Sequence, residues 1–173
     1  MRYIDLSGLN LSQTNLSQKT HNAPSQLDLG FANLQGANLI HAQLQRVRGI
    51  EVNLRKARLS HANLSEARLQ KADLGKAILH GTNLVAADLK YADLKGAHFQ
   101  QAKLQAAHLS ETDISGAQFE EADLSDTYFL RLYPSPSDDT LKSILRARNW
   151  QKAHFETEIK ERLLEISQSP DEN

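Results

Sequence analysis

The sequence predicts an all-β solenoid, a narrow column of stacked coils, with an α-helical segment closing its C-terminal end. Three observations carry that prediction. From Leu29 to Phe129 every fifth residue is apolar, with the single exception of Gly49. Two places before each of these stands a compact residue, Ala in fifteen of the 21 cases. After Arg131 the five-residue period stops and a helical one takes over. Composition agrees. The 173 residues are 40% hydrophobic but only 6% aromatic, too few large side chains for a thick globular core.

Internal repeats decide the architecture. The every-fifth set holds sixteen Leu together with Phe99, Phe119, Phe129 and Ile114. The six residues that replace Ala two places earlier are Leu27, Val47, Val52, Thr82, Thr112 and Thr127. Between the two sits a polar residue, most often Asp or Asn. Neither standard period fits. An α-helix turns through about 140° at each five-residue step, and a flat strand puts successive fifth residues on opposite faces. A period of five works if each unit is a short extended piece followed by a tight corner. Leu and Ala then point inward, while Asp or Asn points outward and bonds the turn backbone.

The units Ala62-Asn63-Leu64, Ala72-Asp73-Leu74 and Ala92-Asp93-Leu94 resemble the A(D/N)LXX motif of the pentapeptide-repeat family, and the resemblance runs through residues 27–131 without interruption. It implies a right-handed quadrilateral parallel β-helix, four units to a coil, with stacked coils about 4.8 Å apart. Three further units, centred on Leu6, Leu11 and Leu16, precede the main run in a different register. An eight-residue insertion near 19–26, KTHNAPSQ, restores the alignment and is expected to be a loop. Residues 1–131 are therefore expected to form about six coils. Gly49 removes one inward side chain, and the larger Val47, Ile50 and Val52 around it suggest a local bulge that refills the space.

Open coil ends expose unpaired backbone, and repeat proteins need caps. Residues 132–173 are expected to supply one: a linker with Pro134 and Pro136, then two helices. Ser137 or Asp138 caps the first, which carries Leu141, Ile144 and Leu145 on one face. A break near Arg148-Asn149 precedes the second, with Trp150, Phe155, Ile159, Leu163 and Ile166 as its apolar stripe. The same stripe is a candidate dimer surface, because quinolone-resistance members of the resembled family pair through their C-terminal ends.

Nothing in the sequence points to catalysis or to a cofactor. There is no Cys, no GxSxG, no phosphate-binding glycine loop and no HExxH. His41 and His61 stack one coil apart, but the next member of their column is Gly81, so no metal site is expected. No apolar run is long enough to span a membrane and the first residues do not read as a signal peptide. A cytoplasmic protein is expected. The net charge of -1 argues against direct nucleic-acid binding.

Charge is distributed unevenly along the axis. Residues 46–76 carry eight Lys or Arg against three acidic residues, whereas 111–126 hold six acidic residues and no basic ones. Glu111, Asp113, Glu120, Glu121, Asp123 and Asp126 are thus the candidate interaction surface. The column Asn33, Asn53, Asp73, Asp93, Asp113 is a second acidic feature, read as structural through corner hydrogen bonds. The leading functional reading is a non-enzymatic interaction or scaffold module for an unknown protein partner, as a monomer or as a dimer through the C-terminal end. Two alternatives stand beside it. One is a gyrase-directed DNA mimic that protects against quinolones, which the resemblance implies and the 12 basic and 12 acidic residues of 27–131 disfavour. The other is a purely structural or regulatory rod acting as a dimer.

Overall fold

The computed structural model describes residues 5–16 and 27–168. Single-residue parallel bridges tie each coil to the next: Asp28 to Arg48, Arg48 to Arg68, Arg68 to Asp88, and so on through four ladders. Each step is twenty residues, which is four pentapeptide units, so the column has four sides. Side 1 carries Asp28, Arg48, Arg68, Asp88, His108 and Tyr128 on its outside. Side 2 carries Asn33 through Asp113, side 3 Asn38, Arg58, Ile78, His98 and Gln118, and side 4 Gln43 through Asp123. Residues ten apart lie on opposite sides. Upstream, Asp5, Asn10 and Asn15 bridge Asn33, Asn38 and Gln43, a step of 28. The loop expected at 19–26 lies outside the described residues.

One unit shows why the motif reads A(D/N)LXX. The amide of Asp73 donates to Val52 O (3.0 Å), on the coil before. Leu74 and Lys76 donate to Asp93 O (2.8 Å) and Lys95 O (2.9 Å), on the coil after. Ala77 donates to Leu74 O (2.9 Å), closing the corner. The fifth amide, Gly75, has no backbone acceptor in reach and donates to Asp73 Oδ1 (2.8 Å). All five N–H groups are thereby satisfied, as groups removed from water must be. The same side-chain bond recurs from Asn33 to Gln35 and from Asp113 to Ser115. The outward Asp or Asn is a turn fastener.

The third corner residue always has positive φ, as a type II turn requires. Glycine occupies that place at only some corners, while Lys56, Lys76, Ala106 and Glu121 hold φ of 58, 58, 57 and 59°. For an L-residue this conformation costs about 1–2 kcal/mol. Replacing Ala106 by Gly relieves that strain against an added chain-entropy cost of about 0.5–1 kcal/mol. The expected net gain is up to about 1 kcal/mol in urea unfolding. Ala107→Gly, in the buried inward slot beside it, is expected to destabilise by a similar amount.

Inside, Leu59, Leu74, Leu79 and Leu94 are fully buried and stack coil upon coil. The three Thr residues in the Ala slot are buried as well. Their hydroxyls donate to backbone carbonyls: Thr82 to Leu59 O (2.7 Å), Thr112 to Leu109 O (2.7 Å) and Thr127 to Leu104 O (2.8 Å). At Gly49 the expected bulge is absent. Gly49 keeps its ladder bond to Arg68 O (2.7 Å) and its corner bond from Val52 (3.2 Å). Val52 and Leu69 lean into the vacated space, so a Cβ there would meet them at 3.2 and 3.0 Å. An apolar void of about 10 Å³ remains, while Ile50 sits on the corner and does not refill it. Regular backbone bonds outweigh a methyl-sized defect.

The last coil is continued by residues 132–155, which follow its perimeter. Tyr133 N donates to Thr112 O (3.2 Å). Helix α1 (Asp138–Leu145), capped by Ser137, then takes the place of one side. A helix offers no strand edge, so its hydroxyls substitute. Gly116 N donates to Thr140 Oγ1 (3.1 Å) and Phe119 N to Ser143 Oγ (2.5 Å). Extended pairing resumes with Asp123 against Arg148, and with strand β1 (Tyr128–Phe129) against β2 (His154–Phe155). Helix α2 spans Thr157–Gln168. Trp150 and Phe155 therefore belong to a 3-10 turn and to β2, not to the second helix as their apolar spacing suggested. Their burial comes from covering the last coil: Phe155 stacks on Phe129 at 5.0 Å.

Candidate functional site

The interior of the coils is filled mainly by Leu, Ala and Phe, so within the coils the polar side chains available for recognition stand on the four sides or their corners. The acidic candidates do not form one surface. Glu111 and Asp113 lie on side 2 and its corner, while Glu121, Asp123 and Asp126 lie on and beside side 4, the opposite face. Several are also engaged. Glu111 pairs with Arg131 (3.3 Å) and Asp113 fastens its own turn. Glu121 accepts from Gln101 (2.9 Å), and its backbone carbonyl accepts from Arg148 Nε (3.0 Å). One carboxylate oxygen of Glu120 is shielded from solvent. Arg131, at the last corner, and Arg148, in the continuing segment, thus lie against the coils that carry these acidic residues.

Asp123 shows how tightly this end is joined. Burial pushes its carboxyl up, but hydrogen bonds from Ser125 Oγ, Asn149 Nδ2, the Ser125 amide and Gln105 Nε2 together hold it below the ordinary value. A carboxyl lowered on folding contributes stability above its unfolded value, near pH 4, and loses it as pH falls through the folded value. Asn149 has φ 58°, so Asn149→Gly keeps the backbone and removes one donor. The acid-induced loss of stability between pH 5 and 3 is expected to be smaller in that variant than in the wild type, measured by urea unfolding.

The C-terminal candidates are turned inward. Leu163 is 0%, Ile159 6% and Trp150 9% exposed, and Phe155 is half-buried. They pack within the chain rather than presenting a dimer face.

The acidic ladder of side 2 is structural in its geometry. Asp73 and Asp93 fasten their corners, and the Arg55 guanidinium reaches both, at 3.5 and 3.9 Å. It lies over Gly75, where a Cβ would meet Nη1 at 2.5 Å. The imidazoles of His41 and His61 stack at 5.2 Å, with His80 edge-on to His61 at 5.5 Å. The third ring comes from the corner position, one place before Gly81. Among the described residues no group of three or more His, Cys, Asp or Glu is placed to hold a metal ion.

Sorting the sequence by twenties reveals what counting charge along the axis does not. Side 3 and its two corners, from Gln35 to Gln101, bear Arg55, Lys56, Arg58, Lys76 and Lys95 and no carboxylate. His41, His61, His80 and His98 lie on the same strip, and Ile78 stands at its middle, 41% exposed.

Family profiles match two overlapping stretches: pentapeptide repeats (8 copies) at residues 28–65 and the pentapeptide repeat region at 52–129. The chain matches no curated protein. Among solved structures it is similar to HetL from the cyanobacterium Nostoc, a pentapeptide repeat protein involved in heterocyst differentiation regulation. The two are 22% identical over 75% of this chain and 72% of that one, with a TM-score of 0.41. It is similar to QnrB1, a plasmid-mediated fluoroquinolone resistance protein, at 14% identity over 94% and 95% of the two chains (TM-score 0.43). A pentapeptide repeat protein of the Arabidopsis thaliana thylakoid lumen is 24% identical over 94% and 89% (TM-score 0.31).

Proposed function

The chain belongs to the pentapeptide-repeat family, and from that premise we propose that it works as a non-enzymatic protein-interaction module. In this reading it is a rod of about six right-handed coils, capped by its C-terminal helices, that presents patterned sides to a protein partner. One observation carries it: backbone carbonyls and the outward Asp or Asn satisfy the amides while apolar side chains fill the interior, which leaves recognition to the outward ladders. From Leu54 to Phe129 the column is filled by buried side chains rather than opened into the concave site that enzymes use. A DNA-mimic role is less well supported, since mimicry needs a continuous acidic surface and the acidic residues here are divided between opposite sides.

The test is capture of a partner from the native host by immobilised protein, repeated with charge reversals confined to one side at a time. Loss of the same partner with one side's variant, and retention with the others, supports the module. A partner captured equally by all four would remove it.

A further inference from the structure

We propose that side 3, between Arg55 and Gln101, is the docking face for an acidic polypeptide segment, one rich in Asp and Glu around an apolar residue. The inference rests on the interaction-module reading and names the face and the chemistry of the partner.

On side 1, across the column, and at its corners three bases are engaged within the molecule: Arg46 with Glu66 (2.8 Å), Arg48 with Asp28 (2.6 Å) and Lys71 with Glu51 (3.7 Å), while Arg68, Lys90 and Lys103 stand on or beside sides that also carry carboxylates. Arg55 itself turns over Gly75 toward side 2. Lys56, Arg58, Lys76 and Lys95 differ. All four are exposed, and none makes an ion pair among the described residues. Lys56 and Lys76 occupy the same corner one coil apart, so their charges add over a few ångströms with no carboxylate on the strip to offset them. Such a field raises the association rate of an anionic partner and selects against a cationic one.

Ile78 adds an apolar contact to this basic strip. Its place on the ladder belongs to a polar residue in most units, yet here a branched apolar side chain stands 41% exposed between Lys76 and His80. An apolar contact ringed by bases matches a peptide that carries an apolar side chain between acidic ones. A sugar-phosphate backbone would satisfy the bases and leave the isoleucine unused. The His61 imidazole lies over corner residue Gly81 and the Lys76 stem passes beside Gly96, which places a ring and a base at the two corners of the strip.

The probe is a fluorescein-labelled 12-residue peptide of alternating Asp and Glu with one central Leu, read by anisotropy against the full chain. The wild type is expected to bind, with Kd rising at least about fivefold between 50 and 200 mM NaCl. Kd is expected to rise more than about tenfold in Lys56→Glu/Arg58→Glu/Lys76→Glu, and about fivefold in Ile78→Asp. Arg68→Glu/Lys90→Glu/Lys103→Glu, with the same charge change spread over the other three sides, is expected to shift Kd less than about threefold. Equal loss in both triple variants, no binding by the wild type, or tighter binding of a 12-nucleotide single-stranded DNA would overturn the assignment. Circular dichroism confirms that each variant is folded; should the side-3 triple variant unfold, Ile78→Asp and Lys76→Glu singly decide. If a partner captured from the host survives the side-3 changes but is lost through another side, side 3 falls and the interaction module stands.

Discussion

Phe119→Ala lowers the free energy of unfolding by about 3–5 kcal/mol, the largest loss expected from any single truncation in the column. Phe119 is fully buried, stacked on Phe99 at 5.1 Å with rings 2° from parallel, and meets Phe129 edge-on at 5.7 Å. Phe129 in turn stacks on Phe155 of β2. The four rings form one continuous run from the repeat coils into the segment that follows them, so removing Phe119 leaves a cavity within that run. Phe119→Leu is the informative control. Leu39, Leu59 and Leu79 occupy the same column, and a Leu there is expected to cost no more than about 1.5 kcal/mol. Urea unfolding measures both. Because stacked repeats unfold in part from their ends, hydrogen exchange of the 116–124 amides should quicken more in Phe119→Ala than that of 62–74.

The second large effect concerns two hydroxyls. Ser143→Ala leaves the amide of Phe119 buried without an acceptor, at a cost of about 1–3 kcal/mol. Thr140→Val removes the acceptor of the Gly116 amide at a smaller cost, because Gly116 is exposed and water can take the bond. The double variant is expected to lose more than Ser143→Ala alone and to show faster exchange first at those two amides. Lys142 lies between them on the same helix but is exposed. Lys142→Ala is therefore the neutral comparison, expected within about 0.5 kcal/mol of wild type. If Ser143→Ala matches Lys142→Ala, the helix does not close the coil edge as described.

These two predictions mark the boundary of what the sequence conveys. The repeat was legible because Leu, Ala and Asp or Asn each answer a separate requirement of the same corner, and 21 consecutive units repeat the demand. Thr82, Thr112 and Thr127 read as compact exceptions, and their buried carbonyl partners agree with that. Thr140 and Ser143 were not legible, since a hydroxyl on a helix face says nothing by itself about an orphan amide across the gap. Trp150 and Phe155 misled for a related reason: Phe155, Ile159, Leu163 and Ile166 follow one another at steps of four, four and three, the spacing of a helix stripe, although Phe155 lies in a strand that covers a coil. At Gly49 the sequence suggested a distorted backbone, whereas ladder bonds on both neighbours hold it regular.

The candidate surface was harder to read than the fold. Taking charges in chain order groups Glu111 with Asp126, although the coil places Asp113 and Asp123 on opposite sides. It also hides the side-3 strip, whose bases are separated in sequence by residues that face elsewhere. Distance on a four-sided column is measured in steps of twenty, and only that sorting shows Lys56 above Lys76 beside Ile78.

Whether recognition resides on one outward side is decided by hydroxyl-radical footprinting of the full chain, free and saturated with the acidic peptide. Protection is expected at Ile78, Lys76 and His80, with His98 and Lys56 at the margins, while Tyr91, Tyr133 and Leu164, exposed elsewhere, react unchanged. Protection spread over Tyr91 and Tyr133, or confined to the C-terminal helices, would place recognition off side 3 and refute the one-sided reading.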